Sequence, residues 1–224
     1  MDIQETFVKN KAEFRDFYER VEKIHASIID QGMSTQGHGF DHDLLVAQYG
    51  YLIAEAEDER VGELAWIAGL LHSFDRHFSP LQEKKLIDEC LNLVGLSESD
   101  NLDVRVALNK HSERNDPSDS PVLVALKDAD RLANIGAINL IRGGQHRPNI
   151  PACIPETVGS LHPSSTFRKP MSCYDATFYN LEWEAMLRLP RAKKIAEKYF
   201  NFIREFQTLV VEQFRETGLY PWPK

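Results

Sequence analysis

Apolar residues recur every third or fourth position through nearly the whole chain, and alternating runs bounded by turn signals are scarce. That is the period of helices packed on one face, not of strands. A first helix is predicted along Phe7, Phe14, Phe17, Val21, Ile24 and Ile28, ending before the polar, glycine-containing stretch QGMSTQGHG. A second begins near Asp41, whose carboxylate suits an N-cap; it carries Leu45, Val46, Tyr49, Leu52 and Ile53 on one face, with His42 on that face at its start. A third runs through Leu64, Ala65, Ala68 and Leu71, and His72 continues its stripe. Further helices are predicted over 81–94, 103–111, 121–141, 176–189 and 191–216, with Pro190 separating the last two. The segment 143–173 holds several Pro, Gly and Ser residues with weak periodicity and reads as a long loop, of the kind that serves as a lid or a binding loop. The expectation is an all-α fold, one helical domain over residues 1–224, with no repeat and no marked domain boundary.

Composition narrows the function classes. The 26 Lys and Arg residues are outnumbered by 34 Asp and Glu. A negative chain is repelled by long nucleic acid and by anionic membrane surfaces, while a small anionic ligand in a locally basic pocket stays compatible with it. Three cysteines, Cys90, Cys153 and Cys173, form neither a disulfide framework nor a thiolate zinc motif and read as reduced thiols. The first residues lack the apolar run of a secretory signal, and the apolar stretch from Leu64 to Leu71 is far too short to span a bilayer. A soluble, cytoplasmic protein is the expectation.

One constellation stands out against this background. His42, His72 and an acidic residue of KDADRL lie at or beside apolar stripes of three separate helices, which is how a metal site is assembled inside a helical bundle. Neutral imidazoles with a carboxylate suit first-row metals such as Mn, Fe, Co, Ni or Zn. Helical geometry alone does not choose between Asp128 and Asp130, which flank the stripe centred on Ala129 from opposite sides.

Four runs in order, HGFDHDLLV, IAGLLHSFDRHF, NKHSERNDP and VALKDADRLANIGAINLIR, resemble the HD superfamily of metal-dependent phosphohydrolases, in particular its small stand-alone bacterial members; the helical C-terminal part, LEWEAMLRLPRAKKIAEKYFNFIREF, is also similar. The resemblance implies an all-helical HD-like bundle and makes His42, His72 and Asp130 ligands of a divalent metal (Mn, Co, Ni, Fe, Zn or Mg), with Asp128 behind the ligands or on the surface. It places His111 near the reaction as a catalytic residue and Arg76 as a substrate-binding cation; Lys127, four residues before Arg131 on one helical face, is a further candidate substrate-binding cation, although a solvated face fits that pair better. The implied activity is hydrolysis of a small phosphorylated metabolite or nucleotide by attack of metal-bound water. The family's His-Asp pair is broken here, because Ser73 stands where aspartate is expected, and Asp75, three residues after His72, is a possible substitute. A degenerate member that binds a nucleotide or a protein partner without turnover is the alternative that this departure implies, and an iron-dependent oxygenase of the same fold is a more distant one.

Overall fold

The computed structural model describes residues 3–32, 35, 37–146 and 149–222. Among them every regular element is helical and no strand occurs. The chain divides into two compact units, the first comprising residues 1–133 and 188–192, the second residues 134–187 and 193–224.

The first unit contains α1 (Ile3–Glu13), α2 (Arg15–Asp30), α3 (Phe40–Ala54), α4 (Glu59–Leu71), the single turn α5 (Phe74–His77), α6 (Pro80–Asn92), α7 (Glu98–Lys110) and α8 (Pro121–Ala133). The predicted first helix is two: Phe14, at φ −109° and ψ 38°, interrupts it. Gly39 rather than Asp41 caps α3, and Asp41 lies in its first turn, where an acid complements the helix dipole.

The middle of this unit is the packing of α3, α4 and α8 on one another. Because α3 has neighbours on more than one side, it is buried on more than one face, and His42, Asp43, Val46, Ala47, Gly50 and Tyr51 are all inside. The helices α3 and α4 approach closely at Gly69, where an added Cβ would stand 2.5 Å from the Cα of Ala47. Trp66, fully buried on α4, packs against Phe14, Phe17 and Tyr18, and its indole N–H donates to Gln48 Oε1 at 2.7 Å. Burying each such side chain contributes roughly 1.5–3 kcal/mol. Asp58 caps α4 by accepting from the backbone N–H of Arg60 at 2.8 Å and of Val61 at 3.4 Å.

The second unit contains α9 (Ala137–His146), a 3-10 turn at Pro155–Thr157, α10 (Cys173–Tyr179), a 3-10 stretch at Asn180–Met186 and most of α11 (Pro190–Glu216). Three boundaries differ from the sequence expectation, the first being that the predicted helix over 176–189 is α10 up to Tyr179 and a 3-10 stretch beyond it. The predicted helix over 121–141 breaks after Ala133, where Gly136 takes φ +74°, a left-handed conformation that ends a helix. The expected loop from 143 begins only after α9, which continues to His146; residues 147 and 148 of that loop lie outside the described ones. Val158, Tyr174, Phe178 and Ile203 form the core of this unit.

Candidate metal centre

The site is built in the first unit, where three helix positions converge. The chain stops being helical at His72, whose Nδ1 donates to the carbonyl of Gly69 at 2.7 Å, one of the carbonyls that a helix end leaves without a partner. That bond leaves the lone pair of the neutral ring on Nε2. This nitrogen faces His42 Nε2 at 3.3 Å, and Asp130 Oδ1 lies 3.5 Å from the first histidine's Nε2 and 3.8 Å from the second's. His42, His72 and Asp130 thus present three electron-pair donors within 4.8 Å of one another, a group that could hold a metal ion. The donor set fits: two neutral imidazole nitrogens and one carboxylate oxygen are a first-row ligand set with room for further ligands.

Both histidines are buried, while the Asp130 side chain is 30% exposed, so the cluster opens toward solvent on the carboxylate's side. Burial pushes the Asp130 carboxyl upward, but the hydrogen bond and charge of His42 together with His72 and His111 outweigh it, and its pKa ends well below the usual range. The carboxylate is therefore ionised and available to a cation.

His111 closes α7 as His72 closes α4, its Nδ1 donating to Leu108 O at 2.7 Å, and its ring centroid is 5.6 Å from that of His72. Burial, with His72 beside it, lowers its pKa. At pH 7 it is a neutral imidazole with its Nε2 lone pair unprotonated. Arg76, on α5, is 47% exposed and has its Nε 3.3 Å from Asp75 Oδ1. Asp75 is thereby paired within α5 and stands outside the three-residue metal group, so the substitute-ligand expectation for it has no support in the geometry.

Lys127 requires a correction. It was expected to face substrate or solvent, yet its side chain is buried and its ammonium donates to Asp119 Oδ2 and to Arg114 O, both at 2.9 Å. With those partners it is a structural pin, not a substrate contact. The open choice on α8 also has a physical answer: Asp128 is fully buried away from the histidines, accepting from the backbone N–H groups of Arg188 at 2.7 Å and Leu189 at 2.8 Å and from the Arg131 guanidinium at 3.2 Å. Burial pushes the Asp128 carboxyl upward, and those N–H groups and the nearby arginines pull it back only in part.

Asp43 and His25, which no motif marks, belong to the site's surroundings. Asp43, one position after His42, is fully buried and accepts from Ser73 Oγ at 2.6 Å, and His25 Nε2 lies 3.0 Å from the same oxygen. A polar residue inside the stripe of Val21, Ile24 and Ile28 was a signal for His25. Asp43 had none, since only a helix buried on more than one face would take it inward.

No protein-family model matches the chain, and no curated protein resembles it significantly. Solved structures do share the fold. A structural genomics target from Lactobacillus plantarum is 19% identical with a TM-score of 0.69, covering 88% of this chain and 98% of that one. Bacillus subtilis YpgQ in complex with ADP is 22% identical at TM-score 0.61, over 86% of this chain and 97% of YpgQ. The Lin1889 protein of Listeria innocua is 16% identical at TM-score 0.64, over 96% and 98%. These similarities support the all-α fold. Among the described residues no helix is long and apolar enough to cross a membrane.

Proposed function

We propose that the chain is a metal-dependent phosphohydrolase of the HD type, acting on a small phosphorylated molecule of the nucleotide class. The observation that carries this reading is the convergence of His42 Nε2, His72 Nε2 and Asp130 Oδ1 on one point at the ends of three helices. The ADP held by YpgQ, a protein of this fold, supports a nucleotide over other phosphorylated ligands. A divalent cation in this group supplies, when bound, polarisation of a phosphoryl oxygen and a lowered pKa for water. Around it, His111 offers a neutral Nε2 that can accept a proton or a substrate hydrogen bond, and burial keeps it neutral. The half-exposed guanidinium of Arg76 is suited to grip a phosphate through two N–H groups.

A second reading has its own observation. Ser73, where an anionic ligand is expected by resemblance, is turned to Asp43 and adds no donor to the group. A neutral hydroxyl at the expected anionic position lowers the charge that holds the metal, which favours a member that binds nucleotide and does not turn it over. Phosphate release from nucleoside mono-, di- and triphosphates, measured on metal-stripped protein reloaded with Mn, Co, Ni, Fe, Zn or Mg, separates the two. The enzyme reading expects metal-dependent release that His42→Ala abolishes. Nucleotide binding by metal-loaded protein with no release from any substrate would replace it with the binding reading.

A further inference from the structure

Beside the proposed ligand set, the buried carboxylate of Asp43 sits in surroundings that its own contacts only half account for. Its carboxylate has no exposed surface, yet no lysine or arginine touches it among the contacts it makes. One oxygen, Oδ2, accepts from Ser73 Oγ at 2.6 Å and lies 3.0 Å from His25 Nε2. The other, Oδ1, lies 3.5 Å from His72 Nδ1 and makes no hydrogen bond. A carboxylate in such a place is costly unless positive charge stands nearby.

The approach direction is informative. Asp43 meets the His72 ring at Nδ1, on the edge away from the Nε2 that faces His42 and Asp130, so it lies behind the ligand and does not compete for the cation. The Nδ1–H of that ring is given to Gly69 O at 2.7 Å, so Asp43 acts on the imidazole through its charge at 3.5 Å, which makes the far nitrogen a better electron-pair donor, and not through a hydrogen bond. Ser73 follows His72 directly in the chain, so the hydroxyl that Asp43 accepts also ties down the residue next to the ligand. The negative charge absent from position 73 is thus present 30 residues earlier in sequence, on α3, next to His42.

We propose that Asp43 is a positioning residue for the metal centre, holding the turn at His72 through Ser73 and supplying, 3.5 Å from the ring, the buried negative charge that favours a divalent cation at His42, His72 and Asp130. The proposal rests on the metal-binding part of the reading above. It is independent of whether nucleotide is hydrolysed or only bound.

Titration calorimetry with Mn²⁺ on the metal-stripped full chain tests it, with the metal-free melting temperature as the measure of folding and the Co²⁺ absorption spectrum as the measure of ligand geometry. Asp43→Asn keeps the shape and removes the charge, and it is expected to weaken Mn²⁺ binding by about 10–100-fold. Because the ligands themselves are untouched, the Co²⁺ spectrum at saturation should match that of the wild type. Ser73→Ala, which only releases one hydrogen bond, should weaken binding in the same direction but less, and it serves where Asp43→Asn does not fold. Exchanging the two residues in Asp43→Ser/Ser73→Asp should recover affinity lost in Asp43→Asn, since one carboxylate remains between α3 and the turn after α4. Wild-type affinity in Asp43→Asn, or in Ser73→Ala if that variant alone folds, overturns the proposal while leaving the metal site standing. A wild-type chain that takes up no Mn²⁺ overturns both.

Discussion

Two buried polar clusters share helix α8, and they are built on opposite logics. At Asp128 and Asp119 the carboxylates are saturated: Asp128 takes the N–H groups of Arg188, Leu189 and the Arg131 side chain, and Asp119 takes Lys127, Arg188 and the Asp116 backbone. Two residues further along α8, about 200° around the helix, Asp130 enters a group in which two imidazole nitrogens face each other at 3.3 Å. With the His72 Nδ1–H given to Gly69 O, a single Nε2 proton is left for both the contact between the two neutral rings and Asp130 Oδ1, and His42 Nδ1 and Asp43 Oδ1 make no hydrogen bond. The first arrangement gains its stability from contacts already made. The second keeps lone pairs directed at a point where a cation would sit, and it is where chemistry is expected.

The sharpest way to break this comparison is to truncate the two aspartates of α8 separately. Asp128→Ala leaves two backbone N–H groups without their acceptor in a buried place and takes one partner from the Arg131 guanidinium, which keeps Asn115. It should cost about 3–5 kcal/mol of stability, read as a shift in the denaturation midpoint, with Mn²⁺ affinity of the folded fraction unchanged. Asp130→Ala should do the reverse, abolishing Mn²⁺ uptake while moving the metal-free midpoint much less. Loss of stability in both, or of metal in both, would show that the clusters are one unit.

Acid sharpens the comparison next. Burial raises the Asp119 carboxyl, but Lys127, the Asp116 N–H and Arg188 hold it below its ordinary 3.8. A carboxylate whose folded pKa is depressed contributes stability that is fully present above the unfolded value and is lost as pH falls through the folded one. Stability should therefore fall below about pH 4, and Asp119→Asn, already without that contribution at neutral pH, should show a shallower fall. An identical acid limb in the two proteins would remove Asp119 from the account.

How much of this was legible in the sequence follows the same division. The period of apolar residues disclosed the helices, and it disclosed His42 and His72 because each continues a stripe at a helix end. Asp130 was separable from Asp128 only by resemblance, since both flank the stripe and only the neighbours of Arg188 and Leu189 decide which is structural. Lys127 was misjudged because a cation four residues before an arginine reads as a solvated face, whereas Asp119 and the Arg114 carbonyl, both from the turn preceding α8, bury it. Breaks at Phe14 and after Ala133 interrupt stripes that continue in register on both sides, so periodicity runs through them.

The smallest effect is expected at Arg76, and it concerns the boundary between the site and solvent. Its guanidinium is half exposed and, among the described residues, tethered to its neighbour Asp75 at 3.3 Å, a surface pair that adds little to folding. Arg76→Ala should thus leave the denaturation midpoint within about 0.5 kcal/mol of the parent. If the guanidinium grips phosphate, the same variant should raise the Michaelis constant for a nucleotide severalfold, or its dissociation constant if no turnover occurs, with Mn²⁺ affinity unaltered. The effect should also shrink as salt is raised, because an exposed cation is screened over about 8–10 Å at physiological ionic strength. Unchanged nucleotide affinity in Arg76→Ala would assign phosphate recognition to the metal centre alone, and would move the boundary of the functional site inward to His111.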